Sequence, residues 1–118
     1  MLKVAILVLA DIESHGDLAR LVNALEAVKE FKEAGDDVKL IFDGAASQWP
    51  VELEDPEHRA YGLYSAVKDK VAGVCGFCAE AFGVKEKMLE KDVKLLGEYE
   101  GHPSLRRFVA DGCQIITF

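Results

Sequence analysis

In residues 3–10, KVAILVLA, apolar side chains follow Lys3 one after another with no polar break. A strand with one face in water alternates apolar and polar positions, so an unbroken run rich in Val and Ile marks a strand covered on both faces. The polar stretch DIESHGD follows and offers Ser14 and Asp17 as helix N-caps. Leu18, Leu21, Val22, Leu25, Val28 and Phe31 then recur at spacings of three and four. That period lays them along one face of an amphipathic helix, and Gly35 stands where such a helix would stop.

VKLIFDG (38–44) is expected to be a second buried strand closing in a glycine turn, and AASQWPVELEDP (45–56), with Pro50 and Pro56, an irregular loop. Leu63, Tyr64, Val67 and Val71 restore helical spacing. VAGVCG (71–76) predicts a short third strand, FCAEAFGVKEKMLEKD (77–92) a third helix and VKLLGEY (93–99) a fourth strand. SLRRFVAD (104–111) predicts a short helix ended by Gly112, and CQIITF (113–118) a fifth strand. Strands alternating with helices across short turns build βαβ units, hence a parallel sheet with helices on both faces. The expected fold class is α/β, a three-layer α/β/α arrangement around a five-stranded, mostly parallel sheet. With no repeat and no low-complexity tract, residues 1–118 form a single domain.

Half of the 118 residues are hydrophobic and the mean hydropathy is +0.06, enough for one sizeable core at this length. No apolar run approaches the roughly 20 residues that cross a bilayer. The first strand lacks the small-residue cleavage site of a signal peptide, so a cytoplasmic protein without membrane contact is expected. With 14 basic against 21 acidic residues the net charge is −7, and no basic cluster exceeds Arg106-Arg107. Such a chain lacks the basic stripe that nucleic acid requires. Three cysteines, an odd number in that setting, do not make a disulfide framework.

In open α/β sheets, ligands lie outside the carboxyl ends of the strands. That edge receives Asp11, Glu13, Ser14 and His15 after the first strand, and Asp43 and Gly44 after the second. It also receives Cys75 and Cys78 after the third, and Glu98, Tyr99, Glu100 and His102 after the fourth. Cys113 begins the fifth strand, falls at the opposite edge and reads as a small buried hydrophobe. Cys78 falls in the first turn of the helix that follows Cys75, where free N–H groups and the helix dipole favour a thiolate. Cys75 and Cys78 are therefore the candidate reactive residues. His102, and after it His15, are the candidates to assist them, with Asp43 lining the same crevice. His58 reads as a solvated helix-start residue, and Trp49 as an oligomer contact, because Trp is enriched at interfaces.

On the residues alone the cysteine pair has several readings. CxxC before a helix is the redox motif of the thioredoxin fold, where it follows the first or second strand and meets a cis-proline segment. Here it follows the third strand, and Pro103 is the only proline downstream. A closed zinc site needs four ligands, commonly in two paired spacings. One CxxC joined by His15 and His102 fits that less well, so neither a metal nor a cofactor is expected. No Gly-rich loop matches a phosphate or dinucleotide fingerprint. Sulfur handling by an activated cysteine, and packing of two buried thiols in a binding module, complete the set.

At VCGFCAEAFGV (74–84), followed by LLGEYEGHPSLRRFVADGCQIITF (95–118), the sequence resembles the DsrE/DsrF-like (YchN-like) family of small α/β proteins. The resemblance runs over nearly the whole chain and implies a three-layer domain that assembles as a homo-oligomer, a trimer or hexamer. In family members that belong to sulfur-relay systems, a cysteine after the third strand accepts sulfane sulfur as a persulfide and passes it to a partner. Eight residues before Gly83, Cys75 stands at that position. The resemblance thus implies a carrier role for Cys75, with sulfur donor and acceptor proteins as partners. Two departures stand out: Cys78 lies within the motif, and Phe82 occupies the place where relay members tend to put a basic residue. Cys78 could resolve a Cys75 persulfide into a disulfide with release of sulfide, or it could only pack. A sulfur carrier or sulfurtransferase-like protein is the leading expectation. A CxxC dithiol redox protein and a non-enzymatic oligomeric subunit are the alternatives.

Overall fold

The apolar-rich runs form strands β1 (Lys3–Val8) and β2 (Asp37–Phe42), paired in parallel with Val4 opposite Val38 and Val8 opposite Phe42. The computed structural model describes residues 1–118 and adds β3 (Val71–Cys75), β4 (Leu95–Leu96) and β5 (Gln114–Thr117). All neighbours are parallel, in the order β4-β3-β2-β1-β5. The chain steps outward from β1 to β4, then returns across the sheet to lay β5 on the other side of β1. Because parallel crossovers are right-handed, the reversal puts the last helix on the opposite face from the others.

The helices are α1 (His15–Glu33), α2 (Trp49–Glu52), α3 (Tyr61–Val67), α4 (Gly76–Ala81), α5 (Lys85–Glu90) and α6 (Leu105–Ala110). On one face of the sheet, Val4, Ile6, Val8, Leu40 and Phe42 pack in a core that includes Leu21 and Leu25 of α1, Tyr64 of α3 and Met88 of α5. On the other face a smaller cluster joins Ala5, Leu7 and Ile41 to Phe108 of α6 and to Cys113. The result is an α/β/α arrangement whose second outer layer is a single short helix. None of the helices is long and apolar enough to cross a membrane.

Local chemistry explains the boundaries. Ser14 caps α1 through a reciprocal pair: its Oγ accepts the Asp17 N–H at 3.1 Å, and Asp17 Oδ2 accepts the Ser14 N–H at 3.2 Å. Gly35, at φ +81°, takes the left-handed turn that ends it.

Several expectations are corrected. The 45–56 segment is ordered by a 3-10 turn (Gly44–Gln48) and by α2, whose first turn accommodates Pro50. Trp49 is a core residue rather than an oligomer contact: it is 2% exposed and its indole N–H donates to the Ala10 carbonyl at 2.9 Å. Burying an indole removes about 150–250 Å² from water, on the order of 5 kcal/mol. His58 is partly buried, its ring set edge-on to Trp49 at 6.0 Å and its Nδ1 accepting the Ala60 N–H. Val71 belongs to β3 and not to the preceding helix. The helix expected over 77–92 is two helices, broken where Gly83 adopts φ +72°. The strand expected over 93–99 shrinks to Leu95–Leu96, because the chain turns away at Gly97.

Candidate functional site

Parallel strands bring the carboxyl ends of β2, β3 and β4 to one edge, and each end delivers a polar group there. After β2, Asp43 opens the 3-10 turn and is held by the Gly44 N–H, 2.8 Å from its Oδ1. Cys75 is the last residue of β3, and Cys78 lies in the first turn of α4, its backbone N–H 3.4 Å from Cys75 Sγ. After β4, Tyr99 and His102 exchange backbone hydrogen bonds of 3.0 and 2.8 Å around Glu100 (φ +51°) and Gly101 (φ +86°). Positive φ at both central residues makes this a type I′ turn. The Gly101 carbonyl accepts the Phe77 N–H at 2.9 Å, which fixes the turn onto α4. A side chain at Gly101 would press on Phe77 Cβ at 3.4 Å. Phe77 in turn packs its ring against the His102 imidazole, centroids 4.7 Å apart. Glu98 ties the loop ends together, accepting the N–H groups of Gly97 and Ser104.

The outcome is a four-residue cluster. One side-chain donor atom from each of Asp43, Cys75, Cys78 and His102 lies within 4.8 Å of the other three. His102 Nδ1 is 3.4 Å from Cys75 Sγ, and the Cys78 thiol donates to Asp43 Oδ1 at 3.7 Å. Both thiols are unpaired; Cys75 is wholly buried and Cys78 partly exposed. Beside them opens a cleft of about 540 Å³ lined by Asp43, Tyr99, His102, Pro103, Leu105 and Arg106.

Burial works against the helix-stabilised thiolate expected at Cys75. Burial pushes its thiol up to about 12, and the Cys78 thiol and the Asp43 carboxylate add to the rise. The Cys78 N–H acts in the opposite direction but is outweighed, and α4 is only six residues long.

The other sequence candidates lie apart from the cluster. His15 starts α1 and lines a shallow depression with Leu18 and Arg59. Asp11 serves its own loop, accepting from the Ile12 N–H and the Gln48 amide. Tyr99 reaches the cleft; Glu98 and Glu100 shape the loop. Cys113 is buried just before β5, next to Gln114, which pairs with Val4 at the amino edge of β1. Phe77, Gly101 and Arg106 are contributors that residue patterns did not single out. Gly101 alone carried a signal, since glycine between polar residues punctuates turns.

No protein-family model matches the sequence. The chain is 34% identical over 116 residues to an uncharacterized protein, MJ0733, of Methanocaldococcus jannaschii, covering 98% of this chain and 94% of that one. Its fold is shared with a conserved protein of unknown function from Bacteroides thetaiotaomicron, BT1422. The TM-score is 0.59 at 16% identity, over 97% of this chain and 94% of the other.

Proposed function

This chain belongs to the same family as MJ0733 of Methanocaldococcus jannaschii, and we propose that it carries sulfane sulfur as a cysteine persulfide on its Cys75–Cys78 pair. One observation carries the reading: two unpaired thiols converge with a carboxylate and an imidazole within 4.8 Å, beside an open cleft. The resemblance to DsrE/DsrF-like sulfur-relay proteins at residues 74–84 supports the same chemistry.

Burial reorders the roles that the resemblance implies. A donor cannot touch Cys75, which is 0% exposed, but it can reach the partly exposed Cys78. Cys78 is then the acceptor. Its thiol gives up a proton toward Asp43 and its sulfur attacks the outer sulfur of a donor persulfide, R–S–SH. The new S–S bond forms as the donor's breaks, the electron pair leaves with RS⁻, and RS⁻ takes the proton. The products are Cys78–S–SH and RSH, with no net oxidation. Onward transfer to an acceptor thiol repeats the exchange and restores Cys78.

Cys75 sets the alternative outcome. Its attack on Cys78–S–SH would form the Cys75–Cys78 disulfide and expel hydrogen sulfide. Two electrons from the dithiol would then have reduced the sulfane sulfur, and an external thiol would be needed to reset the pair. His102, with Nδ1 at 3.4 Å, is the group placed to take the Cys75 proton in that step. A thiol held protonated by burial keeps the pair on the carriage side.

Intact mass after incubation with polysulfide tests this. Wild type and Cys75→Ser should gain the mass of one sulfur atom, and Cys78→Ser should not. Uptake that survives in Cys78→Ser but vanishes in Cys75→Ser would reverse the assignment. Loss of two hydrogens requiring both cysteines would replace carriage with dithiol redox chemistry, and no change in any variant would sink both. Donor and acceptor proteins follow from the relay reading. The homo-oligomer, a trimer or hexamer, is supported by apolar side chains left open on α6: Leu105 and Val109.

A further inference from the structure

We propose that Asp43, Cys75, Cys78 and His102 also form a tetrahedral binding site for a thiophilic divalent cation, zinc by its donor set. Two sulfurs, one imidazole nitrogen and one carboxylate oxygen are the ligands that zinc prefers, whereas calcium and magnesium select all-oxygen sites. Ligands come from the ends of β2, β3 and β4 and from the first turn of α4, so the metal would join four separate pieces of the carboxyl edge.

The spacing fits. With Zn–S near 2.3 Å and Zn–N or Zn–O near 2.0–2.2 Å, tetrahedral ligand atoms stand roughly 3.3–3.8 Å apart. Cys75 Sγ to His102 Nδ1 is 3.4 Å and Cys78 Sγ to Asp43 Oδ1 is 3.7 Å. The widest separation in the cluster stays within 4.8 Å, so about 1 Å of closure by partly exposed side chains completes the tetrahedron.

The ligands are also oriented from behind, as ligands of bound metals are. The Cys78 N–H points at Cys75 Sγ, the Gly44 N–H fixes Asp43 Oδ1, and Phe77 packs against the His102 ring. Cys75 seals the inner side, while Asp43 and His102 border the cleft through which a cation would enter.

One consequence rests on the sulfur reading: a cation held by both thiolates occupies the electron pairs that Cys78 would use to accept sulfur. Metal and persulfide therefore exclude each other.

Metal-depleted protein titrated with cobalt(II), then zinc(II), decides the matter. The expected result is one cation per chain, with the visible bands of tetrahedral cobalt and thiolate-to-cobalt charge transfer in the near ultraviolet. Cys75→Ser, Cys78→Ser and His102→Ala should each weaken zinc binding by more than the about 100-fold that loss of an outer-shell partner produces. Asp43→Asn, which keeps the shape of a partly exposed residue, guards against a variant that fails only by unfolding, and Cys113→Ser should bind as wild type does. Absence of charge-transfer bands in the wild type, or bands of undiminished intensity in either single cysteine variant, overturns the site. Sulfur uptake on metal-free protein is read separately by mass, so zinc without sulfur refutes carriage alone and sulfur without zinc refutes the metal site alone. Equal sulfur uptake by zinc-loaded and metal-free protein would refute the shared site.

Discussion

Tyr64 shows at the scale of one residue what burial does to an ionisable group in this core. Desolvation, helped by the nearby Glu54 carboxylate, holds its phenol at about 12 rather than 10. Lys68, bonded to Glu54 at 2.8 Å and 6.0 Å above the ring, faces the same side. Between those pH values the unfolded chain loses a proton that the folded one keeps. The stabilisation is therefore complete below about 10 and declines as pH rises toward about 12, by up to about 1.4 kcal/mol per pH unit. Tyr64→Phe should flatten that part of the profile in denaturant titrations; an unchanged slope would mean the phenol is solvated. Cys75, raised from about 9 to about 12, acts with the same sign, so only the difference between wild type and variant isolates Tyr64. Residue types at the site were legible because a parallel sheet fixes which end of each strand meets ligands. What separates His102 from His15 was not legible. Both precede helices in the sequence, and only the strand order places β4 beside β3 and β1 two positions away, roughly 10 Å off. The burial of Cys75 was equally hidden, because it depends on a type I′ turn folding over α4.

Elements near the site depend on one missing side chain. The β2–β3 register slips between Leu40 and Ile41, which face Val71 and Gly73. A Cβ on Gly73 would stand 2.7 Å from both Leu96 Cγ and the Lys94 carbonyl. The leucine could rotate away. The carbonyl could not, since it accepts the Val74 N–H at 2.9 Å and so holds β4 to β3. Gly73→Ala should therefore cost about 1–3 kcal/mol as overpacking does, lowering the denaturation midpoint. It should also move the 97–104 loop and weaken whatever His102 takes part in. A midpoint equal to wild type would mean that β4 is not packed this way. Here the hydrophobic pattern had least to offer. A strand of two residues is too short to alternate, and 93–99 looks longer in the sequence because Val93, Leu95 and Leu96 are apolar whether or not they pair. The same pattern carried a helix through Gly83, where apolar spacing continues but the backbone does not.

The whole molecule is lopsided for a reason that lies in its topology. Three outward steps stack α1 to α5 on one face, and a single return crossover supplies only α6 to the other. That face consequently leaves Val109 61% and Leu105 42% exposed, and on edge strand β5 Ile116, which pairs with Ile6 and turns to the other face, is 37% exposed. Scattered apolar residues on a surface need no explanation, but two on the sparsely covered layer and a third on the unpaired edge beside it are what a second copy would cover. A net charge of −7 per chain opposes self-association, so copies must be held by apolar contact and should separate more readily as salt is lowered. Light scattering on the purified protein should give three or six times the 13.0 kDa of one chain. Val109→Asp, which adds a charge at a solvent-facing position without touching the core, should return the mass to that of one chain while leaving the circular dichroism unchanged. A wild-type mass of 13.0 kDa at high salt and high concentration would refute the assembly. The carboxyl-edge cluster would then have to work within one chain, as its geometry allows, because all four of its residues come from the same copy.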